Sequence, residues 1–66
     1  MKIFLNGEQK KIEDYHTAES LLRKLGLLDK RIALEINREI ISRSIYSNKI
    51  ISENDRIEII KAVGGG

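Results

Sequence analysis

The sequence predicts an α+β fold in which one main helix packs across one face of a mixed sheet of four to five strands. Three observations lead to this prediction. An Asn6-Gly7 pair separates two short strand-like segments, apolar residues then recur at helical spacing, and alternating segments follow. A helix with one apolar stripe and a sheet with one apolar face must cover each other. The predicted domain covers residues 1–63, and residues 64–66 form a flexible glycine tail.

The N-terminal segment predicts a β-hairpin. Asn-Gly is the strongest short-range hairpin signal, because a type I′ turn needs positive φ at both central positions. Side chains alternate between the two faces of a strand, so Phe4 is expected to face away from the core. The residues expected to face inward are Met1, Ile3, Leu5 and Ile12.

Residues 18–25 predict the main helix. Thr17 is a suitable N-cap, since its hydroxyl can accept a hydrogen bond from a free backbone N–H. Gly26 is suited to close the helix in a left-handed conformation. The apolar positions at i, i+3, i+4 and i+7, which define one helix face, are Ala18, Leu21, Leu22 and Leu25.

The second half of the chain predicts three more strands. Alternation predicts a strand at residues 32–36, and Asn37-Arg38 then turns the chain into a short strand at residues 39–41. Residues 42–49 predict a 3₁₀ turn, with Ile45 and Tyr46 as the two side chains that it seats.

The final predicted strand covers residues 56–62, after the turn cluster Glu53-Asn54-Asp55. Its inward residues are expected to be Ile57 and Ile59, and its outward residues Glu58 and Ile60. We expect this strand to run in the middle of the sheet, parallel to the first strand, which is a β-grasp arrangement.

Length and composition argue against an enzyme. With 66 residues the chain buries only about 60% of its unfolded surface, and a substrate pocket needs several hundred Å³. The absence of cysteine excludes disulfides and thiolate metal sites. His16 is the only histidine, so we expect no metal site, and we interpret it as a solvated loop residue.

The charges predict neither nucleic-acid nor membrane binding. The net charge of +2 arises from 12 basic and 10 acidic residues that are interleaved along the chain, with one Phe and two Tyr to stack on bases. No segment approaches the roughly 20 apolar residues of a membrane span, and the N-terminus lacks the features of a signal peptide. We therefore expect a cytoplasmic protein.

The tail, Gly64-Gly65-Gly66, is the segment that indicates a function. Glycine loses more conformational freedom on ordering than any other residue, so three in succession do not serve stability. They do provide a thin thread that can enter a narrow channel. Taken alone, the same glycines are equally well explained as a frayed end.

The whole chain resembles the ThiS family of ubiquitin-like sulfur carriers in thiamine biosynthesis. The matching segments are Met1 to Glu8, Ala18 to Leu27, Ile32 to Asn37 with Arg43 close behind, and, most specifically, Asn54 to Gly66. The chain departs from the family at Arg38 and Asn54, where members often have Gly. Asn54 can still adopt the left-handed conformation, whereas Arg38 suggests a different turn.

The resemblance implies a carrier that is a co-substrate and has no catalytic residues of its own. A ThiF-like activating enzyme would use ATP to adenylate the carboxylate of Gly66. A cysteine desulfurase or a related donor would supply the sulfur that converts the adenylate into a thiocarboxylate. A ThiG-like thiazole synthase would then receive it. No cofactor is expected to stay bound, and the role of the third glycine is open.

The expected partner-binding patch lies on the outward sheet face next to the tail, at Phe4, Ile60, Ala62 and Val63. An exposed apolar patch on a small protein is a typical interface signal, although isolated surface hydrophobes are also common. Three alternative functions remain open: a carrier resembling the small subunit of molybdopterin synthase, a protein-tagging modifier, and a small RNA-binding module.

Overall fold

The computed structural model describes residues 1–14 and 16–61. The strands form one mixed sheet in the order β2-β1-β5-β3-β4. β5 lies in its middle, parallel to β1 and antiparallel to β3, which confirms the predicted β-grasp arrangement. The elements are β1 (Lys2–Leu5), β2 (Glu8–Lys11), α1 (Ala18–Lys24), β3 (Ile32–Ile36), β4 (Glu39–Ile40), a 3₁₀ turn (Arg43–Ile45) and β5 (Arg56–Lys61).

Two hairpin turns of the same kind flank the centre of the sheet. In the turn between β1 and β2, Asn6 and Gly7 have φ values of 49° and 84°. In the turn between β3 and β4, Asn37 and Arg38 have φ values of 53° and 70°. Positive φ at both central positions is what a type I′ turn requires. The expectation of a different turn at Arg38 is therefore wrong, because Arg38 adopts a conformation that glycine would also adopt.

The turn between β1 and β2 is tied to the central strand. The backbone N–H of Asn6 donates to the carbonyl of Ile57 at 2.8 Å, and the Asn6 side-chain oxygen accepts from the N–H of Ile59 at 2.8 Å. The pairing of β1 with β5 thus continues past the end of β1, and it supports β5 close to the point where the chain continues toward the tail.

The helix α1 begins at a capping box. The Thr17 hydroxyl accepts from the N–H of Ser20 at 3.1 Å, and the Ser20 hydroxyl accepts from the N–H of Thr17 at 2.9 Å. The helix ends at Lys24, with Leu25 as its C-cap and Gly26 at a φ of 74°. The predicted start and stop signals are confirmed, with the helix one residue shorter than expected.

The core lies between α1 and the inner face of the sheet. The predicted inward residue Ile59 packs against it from the partly buried rim, as do Met1, Leu5 and Ile12. The 3₁₀ turn seats Tyr46, but Ile45 remains 44% exposed, so the expectation that both would be seated is wrong for Ile45. The buried residues are Ile3, Ala18, Leu21, Leu22, Leu34, Ile36, Ile41, Tyr46, Ile51 and Ile57.

His16 is buried, so its interpretation as a solvated loop residue is wrong. The residue is only 8% exposed, with Nδ1 2.8 Å from the Ser20 hydroxyl and Nε2 2.9 Å from a carboxylate oxygen of Glu13. Both ring nitrogens have partners, so the burial leaves no unsatisfied polar atom. The hydrogen bonds from Lys24 and then His16 lower the pKa of Glu13 from 4.5 to about 2.

Candidate partner-binding surface

The sheet face turned away from α1 carries the described residues that the sequence assigns to a partner. Ile57 is buried and Ile59 packs against the core, so the alternate residues of β5 point outward. The strand register gives the neighbours on this outer face: Phe4 beside Arg56, Glu35 beside Glu58, and Ala33 beside Ile60.

Phe4 faces outward as predicted, but it is partly covered by cations. The guanidinium carbon of Arg56 lies 4.9 Å from the centre of the Phe4 ring, and the Lys2 ammonium lies 5.6 Å from it. Both distances are within the range of cation–π attraction. The ring is partly buried, so this end of the outer face presents positive charge together with aromatic surface.

Ile60 is 54% exposed, as predicted, and lies at the other end of the outer face. It borders a shallow, open depression of about 310 Å³ near the end of β5. The residues that line the depression are Arg31, Ile32, Ala33, Arg43, Ile60 and Lys61. The site therefore combines apolar side chains with three cations.

The structure does not bring Phe4 and Ile60 together. Phe4 pairs with Arg56, and Ile60 lies four positions further along β5, roughly 13 Å at about 3.3 Å per residue. Glu58 lies between them on the outer face, beside Glu35 of β3. The outer face thus has two separate ends that differ in composition, with a carboxylate pair in its middle.

The remaining predicted site residues lie outside the described part of the chain. These are Ala62 and Val63 of the expected patch and the tail residues Gly64, Gly65 and Gly66. Their assigned roles remain predictions.

Sequence reasoning missed the cationic depression. Lys30-Arg31 is only a short basic pair, which by itself indicates no docking site, and Arg43 belongs to a turn far away in the sequence. The fold brings the two segments into contact, since an Arg43 guanidinium nitrogen donates to the carbonyl of Lys30 at 3.1 Å. No local sequence pattern predicts this contact, because it depends on how the 3₁₀ turn packs beside the start of β3.

The described side chains offer binding chemistry. Within residues 1–14 and 16–61, no group of three or more His, Asp or Glu side chains is arranged to hold a metal ion. In the same part of the chain, no helix has the length and apolar character needed to cross a membrane. What the outer face presents is apolar area, cations and a carboxylate pair, which are the elements of a protein-docking surface.

Comparison with known proteins gives consistent matches. The profile of the ThiS family matches residues 3–66. A thiazole synthase of Magnetococcus marinus is 41% identical over 66 residues, which are all of this chain and 20% of that protein. The sulfur carrier protein ThiS of Bacillus subtilis is 38% identical over 63 residues, which are 94% of this chain and 96% of that protein.

A solved structure shares the fold. The crystal structure of the thiamine biosynthesis protein ThiS of Geobacter metallireducens superposes with a TM-score of 0.87 at 22% identity, covering 100% of both chains. Against the thiazole synthases that it matches, by contrast, the chain spans only a fifth of their length.

Proposed function

The chain belongs to the ThiS family, and from that premise we propose that it carries sulfur for thiamine biosynthesis as a thiocarboxylate on Gly66. The observation that carries the proposal is the family match from residue 3 to residue 66, which includes the whole glycine tail. The Bacillus relative, of nearly equal length, bears the name of a sulfur carrier. In this function the protein is a co-substrate, and its partners supply the catalytic groups.

The proposed chemistry begins with activation of the terminal carboxylate. A carboxylate is a poor electrophile, so a ThiF-like activating enzyme would transfer AMP from ATP to a Gly66 oxygen with release of pyrophosphate. The terminal sulfur of a persulfide on a cysteine desulfurase or a related donor would then attack the acyl carbon and displace AMP. A second thiol would reduce the resulting acyl disulfide, forming a disulfide with the donor cysteine and releasing the acyl sulfur. The product is a C-terminal thiocarboxylate, which can act as a nucleophile toward the next substrate.

The fold supports this chemistry by holding the origin of the tail in place. β5 pairs with β1 on one side and with β3 on the other, and its last residue, Lys61, pairs with Ile32. Five residues, 62–66, follow Lys61, and five residues reach at most about 17 Å at roughly 3.3 Å each. A partner enzyme that modifies Gly66 must therefore come close to the end of β5.

The proposed acceptor of the sulfur is a ThiG-like thiazole synthase. Two thiazole synthases, from Magnetococcus marinus and Paramagnetospirillum magneticum, contain a segment similar to all of this chain. A carrier-like segment within the same polypeptide would have a high effective concentration at the synthase active site. This arrangement supports a functional link between the present chain and a synthase.

The test is the intact mass of the protein after incubation with ATP, a ThiF-like activating enzyme and a sulfur donor. We expect a mass gain that matches the replacement of one oxygen by sulfur, localised to Gly66 by fragmentation. A variant with one alanine added after Gly66 is the matched control, because its folded domain is unchanged but a side chain now occupies the end of the thread.

The unmodified protein must gain the mass and the extended variant must not. If the activating enzyme loads a known ThiS but leaves this chain unchanged, the proposal is wrong. If the thiocarboxylate forms but supports only a molybdopterin synthase and no thiazole synthase, the carrier chemistry stands and the pathway assignment is wrong.

A further inference from the structure

The depression at the end of β5 has an unbalanced charge. Arg31, Arg43 and Lys61 line it, and no carboxylate is among its lining residues. Among the salt bridges of residues 1–14 and 16–61, none involves any of these three cations. By contrast, Lys24 on the opposite layer of the fold is paired with Glu13 at 2.6 Å. The positive charge of the depression is therefore available to a partner.

The depression also has apolar walls and a held guanidinium. Ile60, 54% exposed, and the neighbouring Ala33 contribute apolar surface. Arg43 is held by its hydrogen bond to the Lys30 carbonyl at 3.1 Å, and a guanidinium has five N–H donors, so it keeps others for a carboxylate. Such fixed arginines lose less conformational entropy when they pair with a carboxylate.

Position ties this depression to the tail. Lys61 lines it and is the last residue before the five residues that end at Gly66. Since those five residues span at most about 17 Å, an enzyme that holds Gly66 in its active site must place its own surface over or beside the depression. The opposite end of the outer face, at Phe4, lies farther from the tail.

We propose that this depression docks an acidic surface of the thiazole synthase, in which carboxylates pair with Arg31, Arg43 and Lys61 while an apolar side chain covers Ile60. The inference rests on the proposed function and names the part of the carrier that the synthase recognises. The synthase is chosen because two thiazole synthases contain a segment similar to this chain. The mixture of apolar and cationic groups, without an aromatic lining residue, favours a protein surface over RNA.

The test is the dissociation constant between this carrier and the thiazole synthase of the same organism, measured for the charge-reversal variants Arg31→Glu and Lys61→Glu. The matched control is Lys11→Glu, because Lys11 is also an exposed lysine but lies on the edge strand β2, at the far side of the sheet. We expect each test variant to bind about three- to thirty-fold more weakly, and the control to bind like the unmodified chain.

The difference in affinity between the test variants and the control should shrink at high salt. At about 0.1 M ionic strength charges act over ~10 Å, and at about 1 M over only ~3 Å, so test and control variants should converge. Arg43→Gln, which removes the charge from the third lining cation, should weaken binding in the same direction. Thermal unfolding of each variant identifies any that fails to fold, and the remaining variants then decide.

Each result separates the inference from the proposed function. If the unmodified chain becomes a thiocarboxylate and binds the synthase, but the variants bind equally well, the docking inference alone is wrong. If the variants lose only their affinity for the activating enzyme, the synthase is the wrong occupant. Salt-sensitive binding of poly(U) by the same residues would overturn the assignment to a protein partner. If no thiocarboxylate forms, the proposed function fails first.

Discussion

At the scale of single residues, Arg38 shows how a turn can impose a conformation on an unsuitable side chain. Its φ of 70° lies in the left-handed region, which costs an L-residue about 1–2 kcal/mol. Asn37 before it also has positive φ, but asparagine tolerates that region. The neighbouring strands β3 and β4 pair through Glu35 with Ile40 and Ile36 with Glu39, and this pairing holds the turn closed.

We predict that Arg38→Gly raises the free energy of unfolding by about 0.5–1 kcal/mol. Glycine adopts positive φ without steric cost, and the gain is partly offset by the larger entropy of a glycine in the unfolded chain. The measurement is urea denaturation. Arg38→Ala is the control, because it removes the side chain but keeps the Cβ atom, so it should give no comparable gain. Equal stabilisation by both variants would contradict the backbone explanation.

At the scale of elements, a clasp joins α1 to the segment that precedes it. The Glu13 carboxylate accepts from Lys24 Nζ at 2.6 Å and lies 2.9 Å from His16 Nε2. Ser20 contacts His16 and also completes the capping box with Thr17. α1 has only seven residues, too few to be stable alone, so its capping, the clasp and its packing together keep it in place.

The lowered pKa of Glu13 predicts how this clasp depends on pH. The carboxylate has a pKa of about 2 in the folded protein against 4.5 for the ordinary group. Between these values the unfolded chain binds more protons than the folded one, so stability falls as the pH falls. The contribution is complete above about pH 4.5 and declines toward pH 2.

We therefore predict that Glu13→Gln flattens the dependence of unfolding free energy on pH between these limits, as measured by urea denaturation at several pH values. Glu39→Gln serves as the comparison, because Glu39 is an exposed carboxylate that takes part in no salt bridge of the described residues. Parallel pH profiles for the unmodified protein and Glu13→Gln would show that the clasp does not supply this dependence.

Local sequence signals predicted most helices, strands and turns, whereas the contacts between these elements could not be predicted from the sequence. Thr17 and Gly26 set the helix ends through chemistry within one turn of the chain. The interpretation of His16 is wrong because its surroundings include a segment distant in sequence, whose Ile51 N–H donates to the His16 carbonyl at 2.9 Å, although Ser20 at i+4 was a usable hint. The expectation that Ile45 would be seated is wrong because the 3₁₀ turn has only three residues and leaves part of the Ile45 side chain exposed.

The candidate site likewise has features that the sequence predicts and features that depend on the assembled fold. The outward positions of Phe4 and Ile60 follow from the alternation of side chains along a strand. Their separation on the surface follows from the parallel register that sets Phe4 beside Arg56, which no pattern in either strand specifies. The cationic depression depends on Arg43 reaching the loop before β3, and this is a property of the assembled fold.

At the scale of the whole molecule, stability is limited by size. A chain of 66 residues is expected to have an unfolding free energy of about 3–10 kcal/mol. Ile57 and Ile60 lie on the same strand and differ in the face that they occupy, with exposures of 1% and 54%. The same substitution, isoleucine to alanine, can therefore be made at both positions to compare the contributions of the core and of the outer surface to stability.

We predict that Ile57→Ala lowers the free energy of unfolding by about 2–5 kcal/mol, because it removes buried methylene groups and leaves a cavity. Ile60→Ala should stay within about 0.5 kcal/mol of the unmodified protein and should weaken binding to the thiazole synthase. Denaturation curves give the first comparison, and binding assays give the second. Similar losses of stability for both variants would contradict the assignment of faces.

The central position of β5 also governs how the chain can acquire its structure during synthesis. Asn6 and Ile59, which are hydrogen-bonded, are separated by 53 residues, so the decisive pairing joins the two extremes of the described chain. Contacts between such distant segments form late and slow folding. Before β5 leaves the ribosome, the sheet of the nascent chain consists of only two hairpins, β1 with β2 and β3 with β4, and lacks the strand that joins them. The complete sheet can therefore form only after β5, the strand that precedes the tail, has been synthesised.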